Sequence, residues 1–264
     1  MFAVAKGNAL IGEDMKIVLI FMAGLLLYSC SVTDAREEFS DALPRMKEAN
    51  EQALPDSLKS LYEDAAFFLA ARRIMNTPGD TTTVPPAEDV ARYYHALLHV
   101  FNQTGSVRDS LVERYRIGVF PLYATGDLLV GIDPVVGWTT AWQNGTRLTG
   151  NSTIDHLLDR FSLDLISYSA DLKYVLLRSP NKYNMIAVGE RFEGINGVRY
   201  AEPNGSIGDG NNITGEVDQN GVMLTYSVGY GDCPAGCTAR RFWDVTVDYT
   251  GNVIFLRSYG APGP

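Results

Sequence analysis

Three histidines, three cysteines and a scatter of carboxylates are the residues of this chain whose chemistry could carry a reaction or hold a metal. His95 and His99 stand one helical turn apart, a spacing that puts two imidazoles on one helix face. The zinc-protease pattern needs Glu directly after the first His, and here Ala96, Leu97 and Leu98 intervene. The two rings therefore read as flanking an apolar helix face. Asp155-His156 would supply two members of a hydrolase triad, but no Gly-x-Ser-x-Gly elbow accompanies them. The nearest run, Gly205-Ser206-Ile207-Gly208, has the wrong spacing and reads as a turn. Glu190, Glu193, Glu202 and Asp209 lie close in sequence, and a glycosidase needs two such groups at a defined separation. Solvation at the surface accounts for most of them. Asp209-Gly210-Asn211-Asn212 offers oxygens to calcium, yet Ile213 stands where an EF-hand needs another ligand. Gly229-Tyr230-Gly231 fails the dinucleotide spacing. The residues predict no catalytic set, no metal and no cofactor.

The cysteines point elsewhere. Lys16 followed by the apolar stretch Ile17 to Leu27 has the layout of a signal peptide, too short for a membrane-spanning helix of about 20 residues. The end of that stretch, Leu27-Tyr28-Ser29-Cys30, resembles a bacterial lipobox. The resemblance implies cleavage before Cys30, a diacylated Cys30 sulfur and attachment to the membrane through that lipid. Glu13 and Asp14 do not suit a positive leader, so Met15 is the expected start and residues 1–29 the expected signal region. With Cys30 assigned to lipid, Cys233 and Cys237 remain, four residues apart, as a disulfide pair in an oxidising compartment. Zinc would need more ligands, and no His follows His156.

Cleavage would leave 264 − 29 = 235 residues with a net charge of 20 − 29 = −9, unchanged from the whole chain. That balance, with no basic stripe, excludes nucleic acid as a partner. An apolar fraction of 46% is enough for a packed core.

Three regions follow from the hydrophobic periodicity. Residues 30–118 read as a tether and a helical subdomain, with helical patterns over 34–53 (interrupted by Pro44), 56–75, 87–102 and 107–115. Asp56 and Ser57 are candidate caps for the second. Residues 119–205 read as strand 128–133, an insertion over 134–150 carrying Trp138 and Trp142, helix 152–161 with a Ser152/Asp155 capping box, strands 164–169 and 173–178, helix 184–192 and strand 198–201. That order is the split βαβ of ferredoxin-like folds. Residues 206–264 read as two antiparallel hairpins, turning at Asn220-Gly221 and at Thr250-Gly251-Asn252, with the Cys-x3-Cys loop between them. The predicted class is α+β.

The run from Tyr183 to Phe192 followed by Gly194 to Asn204, ending Val198-Arg199-Tyr200-Ala201-Glu202-Pro203-Asn204, resembles the end of a subtilisin propeptide or propeptide-like inhibitor domain over about residues 127–205. The resemblance implies a βαββαβ fold, an inhibitor or chaperone role and a protease partner, with Tyr200, Ala201, Glu202, Pro203 and Asn204 at the protein contact and the following strand lying in the cleft. The run from Gly231 through Trp243 to Gly260 resembles the C-terminal signature of uncharacterised secreted lipoproteins of Gram-negative bacteria, which implies a location and no activity. The sequence thus predicts a non-catalytic lipoprotein of the cell envelope, on the outer membrane and facing the periplasm or the surface. Its role is binding or structural, and a protease-inhibitor-like domain is the sharper form of that reading. An envelope hydrolase using carboxylates, and a glycan-binding protein using Trp138 and Trp142, are the alternatives.

Overall fold

The computed structural model describes residues 43–77, 79–205 and 208–263. Cys30, the leader and the helical pattern over 34–42 lie outside the described residues, as do Ser206 and Ile207. Two long helices open the chain, α1 (Asp56–Met75) and α2 (Ala87–Phe101), followed by α3 (Ser106–Asp109), which runs into a π-helical turn over Ser110–Arg114. Both long helices start after proline, at Pro55 and Pro86, and neither takes a side-chain cap. The expected caps Asp56 and Ser57 are instead inside α1. The Pro55 carbonyl accepts from Leu58 and Lys59 and so satisfies first-turn donors from the backbone. No helix forms over residues 43–53, contrary to the pattern there. Pro44 lacks the amide a helix interior needs, and the carbonyls of this stretch are taken by side chains of α2.

The middle of the chain builds a four-stranded antiparallel sheet. Its elements are β1 (Asp127–Ile132), α4 (Thr139–Gln143), α5 (Ser152–Arg160), β2 (Asp164–Ser169), β3 (Tyr174–Arg178), α6 (Met185–Glu190) and β4 (Val198–Pro203), and the strand order is β2-β3-β1-β4. Alternate residues of a strand face opposite sides, and Leu128, Val130, Val175 and Leu177 turn toward Ile154, Leu158 and Val188 in one buried core. The cap of α5 is Asn151, whose side chain accepts from the amides of Thr153 and Ile154. Asp155 reaches back to Thr149 and Gly150 rather than pairing with Ser152 as a capping box. The insertion is anchored by Trp142, which is fully buried, and contains the short helix α4.

The C-terminal strands β5 (Asn212–Asp218), β6 (Gly221–Tyr230), β7 (Ala239–Asp248) and β8 (Val253–Gly260) form a second antiparallel sheet in chain order. Asp218 closes the first turn by accepting from the amides of Asn220 and Gly221. Val222, Leu224, Tyr226 and Val228 of β6 share one core with Tyr62, Leu69, Tyr93, Leu97 and Leu111 from the helices. Tyr93 makes one close junction between α2 and this sheet. Its ring lies where a Cβ on Gly215 would be 2.6 Å away, and its hydroxyl donates to the Gly215 carbonyl. Burial pushes that hydroxyl up to about 12. On the other side of this sheet Asp244 is only 4% exposed, and Thr225 and Arg257 donate to its carboxylate. The protein is thus α+β with two antiparallel sheets. Gly215→Ala should overpack this junction and cost about 1–3 kcal/mol in urea unfolding; an unchanged midpoint would show that Tyr93 moves aside freely.

Candidate functional site

The candidate site is the side of the first sheet that α5 and α6 leave bare. On β1 the inward residues are Leu128 and Val130, so Asp127, Leu129 and Gly131 point the other way. Gly131 pairs with Tyr200 of β4 on one side and Tyr174 of β3 on the other. A Cβ on Gly131 would come within 2.2 Å of the Tyr200 ring, so only glycine lets that ring lie flat on the strand. Tyr200 remains 38% exposed. The next row is Glu202, Leu129 and Leu176, and beyond it Arg178 grips Asp127 with two hydrogen bonds of 2.7 Å. That bidentate pair raises the Arg178 guanidinium further, through the hydrogen bond first and the charge second. The result is a shallow platform with Tyr200 and Tyr174 at one end, Leu129, Leu176 and the Glu202 carboxylate in the middle and a paired Asp127–Arg178 at the other end.

The edges beside this platform are poorly suited to strand addition. Ile166 of β2 and Arg199 of β4 are extra residues in their ladders, which bulges both edge strands. Leu256 does the same to β8 of the second sheet.

Of the five residues Tyr200 to Asn204, Tyr200 and Glu202 face solvent, while Ala201 packs on the core below. Pro203 pairs with Leu128, and the Asn204 amide donates to Asp127 while its carbonyl accepts from Ala124. Gly205 lies against the Leu122 carbonyl, where a Cβ would be 2.2 Å away. The chain after the motif is therefore held to the body of the protein up to that point.

Apart from Glu202, which is on this face, the remaining candidates serve other contacts or stand at other exposed positions. Trp142 has no surface to offer a ligand, and its indole N–H donates to the Arg147 carbonyl. Trp138 packs edge-on against it at 5.1 Å and donates to Asn196. His95 accepts from the Ala49 amide, and His99 bonds the Lys47 carbonyl. Asp155 is used at the start of α5, and His156 is exposed. Glu190, Glu193 and Glu202 are exposed as well. Asp209 pairs with Arg240, and this hydrogen bond is the main reason its carboxyl sits below the usual range. Asn211 and Asn212 tie their loop to Tyr115 and Phe120. Among the described residues no three His, Cys, Asp or Glu side chains come together as a metal site, and no helix is long and apolar enough to cross a membrane.

Cys233 and Cys237 stand at disulfide distance, 2.26 Å between sulfurs. Their loop is tied to the chain before β5, because the Asp209 amide donates to the Cys233 carbonyl. The platform itself was hidden in the sequence. The alternation of β4 marks Tyr200 and Glu202 as sharing a side, but nothing in it says that no helix covers that side.

Compared with protein-family models, with curated proteins and with solved structures, the chain matches none. Because the cross-link closes so short a loop, Cys233→Ser with Cys237→Ser should cost only about 2 kcal/mol. Thermal unfolding with and without reductant checks this. The double variant should melt where the reduced protein does, and reductant should leave the variant's own midpoint unchanged.

Proposed function

We propose that this chain is a non-catalytic lipoprotein of the cell envelope, held on the outer membrane by lipid on Cys30, that binds an extracytoplasmic protein through the uncovered face of its first sheet. The observation that carries this reading is the Tyr200 ring packed against Gly131 while still 38% exposed. Exposed tyrosine gives a large contact area at low entropic cost, which suits a protein-binding hot spot. The strand order β2-β3-β1-β4, with α5 and α6 on the other side, supports a ferredoxin-like arrangement of the kind that the propeptide resemblance implies. The mode of binding differs from that resemblance. Insertion of a product-like tail into a protease cleft needs a free segment after Asn204, and here that residue is bonded to Asp127 and Ala124. The bulged edges likewise favour recognition by side chains over main-chain pairing. A protease remains an eligible partner, as a surface rather than as a cleft.

One experiment tests both halves. A photo-cross-linking residue is placed at Tyr200 in the full-length protein in its own cell, with the same residue at exposed Leu148 as control. The reading expects a discrete adduct at position 200 and none at 148, with the protein in the membrane fraction. Cys30→Ala should shift the protein to the soluble fraction. Equal adducts at both positions, or none at 200, would remove the face from the reading, and a Cys30→Ala protein that stays with the membrane would remove the anchor.

A further inference from the structure

The stretch from Leu43 to Glu51 is laid across α2 as a strap, and one helix face is built to hold it. Glu88, Arg92, His95, His99 and Asn102 recur at intervals of four, three, four and three, which places them in one stripe along α2. Each contacts the strap. Glu88 pairs with Arg45 at 2.8 Å, and Arg92 donates to the Leu43 and Pro44 carbonyls at 3.4 Å. His95 Nδ1 accepts from the Ala49 amide at 3.3 Å, His99 Nε2 bonds the Lys47 carbonyl at 2.9 Å, and Asn102 donates to the Asn50 carbonyl at 2.8 Å. On its other side the Lys47 amide donates to the Tyr249 carbonyl in the β7–β8 turn. Met46 is the only strap side chain buried in the core among the described residues, and its burial makes the docked strap the resting state.

We propose that residues 43–51 form an acid-released strap, docked when His95 is neutral and loosened when it is protonated. The bond to the Ala49 amide requires a bare Nδ1 lone pair, because a protonated imidazole is a donor at both nitrogens. Protonation therefore sets one N–H against another. That proton does not reverse the other strap contacts, in which Arg92, His99 and Asn102 donate to strap carbonyls, so the strap loosens first at Ala49. The groups facing His95 are Glu48 and Glu51 from the strap and His99 from its own helix, with Lys59 of α1 paired to Glu51 at 2.9 Å. Tyr94 packs edge-on against the ring at 5.6 Å. Burial dominates and holds His95 below its ordinary value of 6.5; Glu48 and Glu51 oppose this and His99 adds to it. The sign follows. The loosened state takes up the proton more readily than the docked state, so docking is at full strength above about pH 6.5 and weakens as the pH falls below it.

If Cys30 carries the lipid, as proposed above, the strap is the last stretch of chain between the anchor and the folded body. Its release would add about 30 Å of extended chain to that link. The strap itself does not depend on the anchor, so the test reads only the strap.

The experiment is amide hydrogen exchange on the intact mature protein in detergent, from pH 7.5 to 5.0, expressed as protection relative to the unstructured chain. The amides of Lys47 and Ala49 should lose about fivefold in protection, the factor that loss of one ordinary hydrogen bond of ~1 kcal/mol gives, while Leu224 in β6 keeps its own. His95→Gln, whose side-chain carbonyl can accept the same bond without titrating, should abolish the pH response. Unchanged protection in the wild type, a parallel loss at Leu224, or the same response in His95→Gln would each overturn the proposal. Should that variant misfold, the His95 ring titration in the wild type decides: its midpoint must coincide with the loss at Ala49, and a mismatch overturns the proposal as well.

Discussion

Burial of one side of the second sheet against α1 and α2 is the constraint on which the rest of this structure depends. Tyr93 and Gly215 touch across 122 residues of sequence, and the core around them draws on both halves of the chain. Neither half can bury its apolar residues without the other. A single sheet with one bare apolar side is unstable in water, and so is a pair of helices with an exposed stripe. The chain between Val119 and β5 must therefore leave this core and return to it. The outgoing and returning segments meet in a neck of short-range ties: Tyr115 with Asn211, Phe120 with Asn212, Leu122 against Gly205, and Ala124 with Asn204. The Cys233–Cys237 loop and the Asp209–Arg240 pair brace the returning strand from the side.

That arrangement explains where a binding face is available. The excursion has a core of its own, built on one side of its sheet, and it is held at its base by the neck. Its other side is left to solvent. The two glycines with a tyrosine ring laid on them then have opposite meanings. At Gly215 the ring is sealed into a core, whereas at Gly131 the same contact leaves the tyrosine exposed. The pinned Asn204 and the bulged edges narrow what such a face can do, since they favour side-chain recognition over main-chain pairing.

Much of the fold was legible from periodicity. The stripe Tyr93, Leu97, Phe101 defined α2, Asn220-Gly221 defined a hairpin turn, and, α4 apart, the order of strands and helices over 127–203 was visible in the periodicity. Less was legible where one partner is backbone. The polar stripe from Glu88 to Asn102 looks like a solvated helix face, because the carbonyls of residues 43–50 that it holds leave no trace in the sequence. The same is true of the caps: Pro55 and Asn151 start their helices in preference to the neighbours Asp56 and Ser152, and only backbone geometry selects between them. Trp138 and Trp142 signal a ligand platform by type, yet they pin the insertion to the core. The platform that does exist needs the knowledge that α5 and α6 lie together on one side.

The claim that the two chain ends complete one core can be tested by native-state hydrogen exchange in low denaturant. Amides of Leu97 and Leu98 in α2 should open with the same free energy and the same denaturant slope as those of Leu224 and Tyr226 in β6, because each element is half of one core. Val130 and Val175 of the excursion should follow a separate isotherm. If α2 opens with Val130 and Val175 while β6 remains protected, the helices do not depend on the second sheet and the account fails.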